Sequence, residues 1–423
     1  MIKPYRFYSG EFSLYDHVLD QSSAFNVIPS RYTGQGLSDL DIYFAMGRGR
    51  QADGVDVPAS EMKKWLVLSL YQPPSNLNFF MFRFDSNYHY VVPEFSNAVN
   101  FRLNFNKALI EYTEAKKAGF ETRPVILGPV SYLVLGKAAR DAPAGFQTIS
   151  LLPKLLPLYV QLLSQLKQAG VEWVQIDEPV LVVDSAMNFQ TQFAQAYAEL
   201  EKVAPKILLT TYFGRLDNNL PFVAKLPVAG LHIDLDREPQ QLESVVAAIK
   251  PTNIVLSLGL VSGRNIWKTD LSAAIALAQK AVDALNPDRV IVATSSSLLH
   301  TPVTITSETK LTAEQKDWFS FALEKAAEVV IIAAVLSGSQ DSKVSAALEA
   351  NKASIAKRRE FERNSDDAVR KRVAAITPDM LHRKHPFSIR REAQKKHLNL
   401  PKFPTTTIGS FPVCSYHIES GLD

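Results

Sequence analysis

Val171-Glu172-Trp173-Val174-Gln175-Ile176-Asp177-Glu178-Pro179 is a short apolar run of β-forming residues that stops abruptly at two carboxylates and a proline. The same rhythm recurs between about residue 120 and 305, where each β-rich run ends in a polar cluster and leads into a longer segment of helical periodicity. The runs are 123–127, 171–176, 206–211, 230–233, 253–258 and 289–293. Helix candidates between them include 149–169, with Leu152, Leu155, Leu156, Tyr159, Leu162 and Leu163 on one side, and the Ala- and Leu-rich 272–284. Strand and helix alternating in this way imply a parallel sheet with right-handed crossovers. Six consecutive units, with no GxGxxG turn after any strand, favour a closed (βα)8 TIM-type barrel over an open doubly wound α/β sheet.

Function in such barrels sits just past the C-terminal strand ends. The clusters there are Gly128-Pro129, Asp177-Glu178-Pro179, Thr210 to Phe213, His232 to Asp236, Ser262 to Asn265 and Ser295-Ser296-Ser297. Beyond the last strand the pattern is helical only. Thr312 and Gln315 form a capping box that opens a helix over 313–336, and further helices are expected over 343–363 and 366–376. From Leu398 onward, Pro401, Pro404 and Pro412 mark a linker.

Composition narrows the class of protein. With 46% hydrophobic and 21% charged residues, the 423-residue chain has the balance of a folded globular protein. The apolar run 329–336 is far shorter than the roughly 20 residues that cross a bilayer, and residues 1–9 hold no apolar signal core. A cytoplasmic location and no membrane partner are therefore expected. Cys414 is the only cysteine, which excludes an internal disulfide and any multi-thiolate zinc site made by this chain alone. The net charge of +3 is unevenly spread, because residues 351–400 hold 14 Lys+Arg against 6 Asp+Glu. No aromatic interleaving accompanies that basic segment, so a solvated helical face is expected and a nucleic-acid partner is not.

Asp177 and Glu178 suggest a paired-carboxylate hydrolase, with Asp234 or Asp236 as the second carboxylate. Adjacent strand residues point to opposite sides, which argues against Asp177 and Glu178 acting together. The alternative is that Asp177 caps a turn or pairs with Arg264. His89, His232 and His300 stand apart from one another and show no metal-ligand spacing.

Several long blocks nevertheless follow one another in a recognisable order. They are residues 10–19 (Gly-Glu-Phe-Ser-Leu-Tyr-Asp-His-Val-Leu), Gly47-Arg48-Gly49, Phe84-Asp85-Ser86-Asn87-Tyr88-His89-Tyr90, Leu127-Gly128-Pro129, residues 173–179, and Thr405-Thr406-Thr407-Ile408-Gly409-Ser410-Phe411-Pro412. In this order they resemble the cobalamin-independent methionine synthases. The resemblance implies a two-barrel enzyme, monomeric at full length and independent of cobalamin. Such an enzyme carries a methyl group from 5-methyltetrahydropteroyltriglutamate to homocysteine, with zinc in its second, C-terminal barrel activating the thiol. This chain resembles the N-terminal, folate-side barrel, which would be inactive without that catalytic partner. The domain expectation is a barrel over 1–398, then linker and the truncated start of the catalytic domain over 399–423.

By the same resemblance, Ile408, Gly409 and Ser410 hold the amino-acid part of homocysteine. Arg102 stands where the family has a lysine that meets the folate glutamate tail; its planar fork suits carboxylates. No catalytic residue and no metal ligand is assigned to this chain. Two departures are expected to matter: nothing before Glu11 resembles the family's opening strand, leaving the barrel without its first strand, and the 18 residues 66–83 interrupt the family pattern between Trp65 and Phe84.

Overall fold

Every apolar run becomes a strand in the computed structural model, which describes residues 8–9, 17–28, 93–139, 142–364 and 366–405. In chain order the strands are β1 Tyr8–Ser9, β2 Glu94–Phe95, β3 Thr122–Arg123, β4 Val125–Leu127, β5 Lys137–Ala138, β6 Trp173–Asp177, β7 Lys206–Thr210, β8 Gly230–Asp234, β9 Val255–Val261 and β10 Val290–Thr294. Six of them form one parallel sheet in the order β4-β6-β7-β8-β9-β10, while β1 pairs with β3 and β2 with β5, both parallel. The fold is thus α/β, with sequential parallel strands side by side in the main sheet, as the alternation implies.

The strands are continuous apolar runs because both faces are covered, the situation of a parallel sheet flanked by helices. All five residues of β8 are buried, as are Ile207, Leu208 and Leu209 of β7. The helix Leu152–Gln168 turns Leu155, Tyr159, Leu163 and Leu166 into the core. It and its leading turn are apolar enough by composition to span a bilayer, but half of that window is buried in the protein. The helix Leu271–Leu285 starts at Asp270, whose side chain accepts from the Ala273 amide, and stops at Asn286 with φ of 73°.

Three sequence expectations change. Near the N-terminus, where no opening strand was expected, two residues do pair: β1 lies against β3, in a two-stranded sheet separate from the six-stranded one. The sheet is not closed among the described residues, where β4 and β10 remain its ends. A two-residue strand offers too few ladder positions to bridge that gap. Finally, the helix expected over 313–336 is two helices, Ala313–Trp318 and Ala322–Leu336. The Thr312 and Gln315 capping box forms as expected. Residues 319–321 are extended because they pair with the loop after β9: the Lys268 amide donates to the Trp318 carbonyl at 2.9 Å and the Ser320 amide to the Ile266 carbonyl at 2.8 Å. A tertiary backbone partner outweighs local helix propensity there.

The chain divides into two compact units, 1–358 and 359–423. Within the first, Asn351 and Ser354 of the helix Ser342–Asn364 bond the Thr269 and Asp317 carbonyls at 2.9 and 2.7 Å. The described part of the second holds the helices Asp367–Ala374 and Phe387–Leu398. The segments 47–49, 66–83 and 84–90 fall outside the described residues.

Candidate functional site

Parallel strands bring all the polar clusters of the sequence to one end of the sheet. Past the strand ends the backbones stay stitched together: the Gly128 amide donates to the Asp177 carbonyl at 2.8 Å, Glu178 to Thr210 at 2.9 Å, and Ser295 to Val261 at 2.7 Å. Two motifs fifty residues apart therefore interlock. Glu178 is fully buried, accepts the Ser131 amide at 2.7 Å and the Tyr197 hydroxyl at 3.2 Å, and so caps the helix Pro129–Leu135. Glycine at 128 is required, because a Cβ there would lie 2.1 Å from the Glu178 carboxyl carbon. Burial pushes Glu178 up to about 7, against the pull of its hydrogen bonds from Ser131 and Tyr197.

Asp177 points the other way and belongs to a polar chain across the strand ends. Arg123 donates to Gln175 at 2.8 Å, Gln175 to Asp177 at 2.8 Å, and the Tyr212 hydroxyl to Asp177 at 3.3 Å. On its far side the Arg264 guanidinium lies 5.1 Å from the centre of the Phe213 ring, a cation–π contact that carries the charge from the end of β9 over the end of β7. Burial and the neighbouring Arg264 charge together lower Arg237. Asp234 accepts the amides of Phe213, Arg237 and Asp236 at 3.0, 2.9 and 3.1 Å and holds two strand-end loops in place. Burial pushes it up to about 6. Phe213 itself adopts φ of 68°, a left-handed conformation that this Asp234 bond secures.

This geometry speaks against pairing Asp177 with either Glu178 or Asp234. Glu178 and Asp234 are consumed as caps for backbone amides, and Asp177 and Glu178 face different neighbours. His232 is likewise structural: buried, with Nδ1 2.8 Å from the Ser257 hydroxyl and Nε2 3.3 Å from the Ser295 carbonyl, its pKa depressed to about 4 by burial. Gly259 lets this stitch form, since a Cβ there would sit 2.7 Å from Ser295 Cα. The described residues do not fit zinc: they bring no three His, Cys, Asp or Glu side chains together as a ligand set, and β7 ends in Thr210 and Thr211 without imidazole or thiol. What the strand ends do hold is a polar floor of Asp177, Tyr212 and Gln175, with Arg264 over the neighbouring Phe213 ring.

Arg102 lies apart from that floor, in the extended stretch before the helix Lys107–Lys117. It is exposed, its amide donates to Phe25 at 3.2 Å and its Nε to Asn104 at 3.1 Å. Ile408, Gly409 and Ser410 fall outside the described residues. Ser131 and Tyr197 were missed from sequence; Ser131 sits in the first turn of an apolar helix and Tyr197 on a buried helix face, where nothing local marks a partner for Glu178.

Comparisons with known proteins identify the family. The family described as "Cobalamin-independent synthase, N-terminal domain" matches residues 6–71 and 75–286. A Candida albicans 5-methyltetrahydropteroyltriglutamate–homocysteine methyltransferase is 50% identical over 414 residues, and its Saccharomyces cerevisiae counterpart 51% over 412. Each alignment covers 96% of this chain and 51% of the relative, so the chain spans about half the length of the curated relatives it matches. A solved B12-independent methionine synthase from Shewanella sp. W3-18-1 is a distant likeness only, with a TM-score of 0.43 and 12% identity over 59% of this chain and 72% of that one. The chain belongs to the cobalamin-independent methionine synthase family and corresponds to its N-terminal domain.

Proposed function

We propose that this chain is the folate-side half of a methyltransferase that moves the methyl group of 5-methyltetrahydropteroyltriglutamate to homocysteine and forms methionine, and that it is inactive alone. One observation carries the reading: alignments at 50% and 51% identity with relatives of that name cover 96% of the chain and 51% of each relative. Within this reading the sheet is part of a (βα)8 barrel over 1–398, followed by the linker and catalytic-domain start over 399–423. The complete protein is a cytoplasmic monomer that needs neither cobalamin, nucleic acid nor membrane. Zinc, which would lower the pKa of the homocysteine thiol when bound, belongs to the other half.

The roles of this chain's own residues are to bind and orient. Arg102 is assigned to a carboxylate of the folate tail, and Ile408, Gly409 and Ser410 to homocysteine. With Nε held by Asn104, the outer nitrogens of Arg102 are the part that a carboxylate would meet. The test is methionine formation by purified chain, alone and mixed with a separately produced C-terminal half of the Saccharomyces cerevisiae relative. Product only in the mixture is expected. Metallated chain that makes methionine alone refutes the reading, and so does an inactive mixture, which would mark the chain as a non-catalytic remnant. Arg102→Ala is expected to weaken binding of the triglutamate form by about tenfold while leaving the monoglutamate form little changed, measured by calorimetry.

A further inference from the structure

At the opposite end of the sheet from Asp177 and Asp234, the starts of four strands edge a cleft of about 660 Å³, a size typical of small-molecule sites. Trp173 opens β6, Lys206 opens β7, Ala229 immediately precedes β8, and Val255 opens β9. The connections account for the gap. Between β7 and β8 the α-helix is only Leu220–Val223, 4 residues behind one 3₁₀ turn, whereas Gln190–Leu200 has 11 and Gln241–Ile249 has 9. The shorter helix covers less of the sheet there. Trp173 is buried, with its ring against Gly230, where a Cβ would come within 3.2 Å of it. The Lys206 ammonium lies 5.6 Å from the centre of that ring. Ala229, Ile254 and Val255 make the cleft mainly apolar.

Charge decides what such a cleft holds. Lys206 and Lys225 both line it, with no aspartate or glutamate beside them. A neighbouring cleft shares Lys206 and adds Lys167, but there Glu172 and Glu201 balance the lysines. Lys206 does pair with Glu172 at 3.2 Å; both side chains are more than half exposed, and such a pair is weakly held. The backbone has little to offer an anion, because the amides of Lys206, Ala229 and Val255 already donate to the Glu172, Ile207 and Ala229 carbonyls, each at 3.0 Å. A compact polyanion such as phosphate, which binds through several converging amides, therefore fits less well than a carboxylate carried on an apolar body. We propose that this cleft binds a flat aromatic carboxylate, its rings against Ala229, Ile254 and Val255 and its anion met by Lys206 and Lys225. β6 and β7 each rise about 13 Å from these first residues to Asp177 and Thr210, so the site is separate from the polar floor and independent of the methyl-transfer reading.

The probe is 2-naphthoate, titrated into the full chain and followed by ligand-observed NMR and calorimetry. Saturable one-to-one binding at submillimolar concentration is expected. The uncharged 2-naphthamide is expected to bind at least about tenfold more weakly, and Lys206→Gln with Lys225→Gln to weaken naphthoate by a similar factor. Lys167→Gln, in the neighbouring cleft, is expected to leave the affinity unchanged. All three lysines are exposed, so an unchanged melting curve certifies the fold of each variant. The site is refuted if naphthoate does not saturate at millimolar concentration, if the amide binds as tightly, or if the double variant binds like wild type. It is equally refuted if Lys167→Gln weakens binding as much, or if inorganic phosphate displaces naphthoate at equal concentration.

Discussion

At position 178 a carboxyl group is wholly enclosed and serves as a helix cap, and burial pushes it up to about 7 from an ordinary 4.5. Its folded value lies above its unfolded one, so the stability it contributes is complete below about 4.5 and is lost as pH rises through about 7. The melting temperature of wild type is therefore expected to fall between pH 5.5 and 8.5, by an amount set by at most roughly 3 kcal/mol, and Glu178→Gln is expected to remove most of that fall. Parallel melting profiles for the two proteins would contradict this. Gly128→Ala places a methyl group against the same carboxyl and is expected to cost about 2 kcal/mol or more in urea denaturation. Of this interlock, the glycine and the glutamate were legible as motif residues, whereas Ser131 and Tyr197 were not, because the bond that matters spans 47 positions in one case and a buried helix face in the other.

The element that most departs from its local sequence is the helix pair Ala313–Trp318 and Ala322–Leu336. Both would run on as one helix by propensity, but the loop after β9 claims their junction, and the second helix anchors that loop from beneath. Lys325 is fully buried and donates to the Trp267 carbonyl at 3.0 Å, while Glu328 accepts the Thr269 amide at 3.2 Å. Burial lowers Lys325 and raises Glu328, each partly offset by the charge of the other. Removing one member leaves a buried charge uncompensated, so Lys325→Met is expected to cost on the order of 3 kcal/mol. Adding Glu328→Gln to it should recover part of the loss, a non-additivity read from a double-mutant cycle of urea midpoints. No loss in the single variant would mean that neither the charge nor the hydrogen bond of Lys325 contributes to stability. A lysine and a glutamate three apart read as a solvated face in sequence, and only the covering loop makes them interior.

For the molecule as a whole, the division into units 1–358 and 359–423 predicts how it opens to protease. Trypsin is expected to cut between 370 and 402, where basic residues stand on helices without a buried side chain, before it cuts within β6 to β10; mass spectrometry of a digestion time course reads the order. Early cleavage in those strands instead would show the sheet to be the weaker part. The alternation of strands and helices, their approximate bounds, the capping box at Thr312 and the family were determined by the sequence itself, because periodicity, caps and motif order are local properties of the chain. The tertiary structure alone decided that β1 lies against β3, that 319–321 leave the helix, that Glu178 and Asp234 brace loops, and that Lys325 and Glu328 are interior. Each of these depends on which distant group supplies a hydrogen bond or excludes water, and no spacing along the chain encodes that.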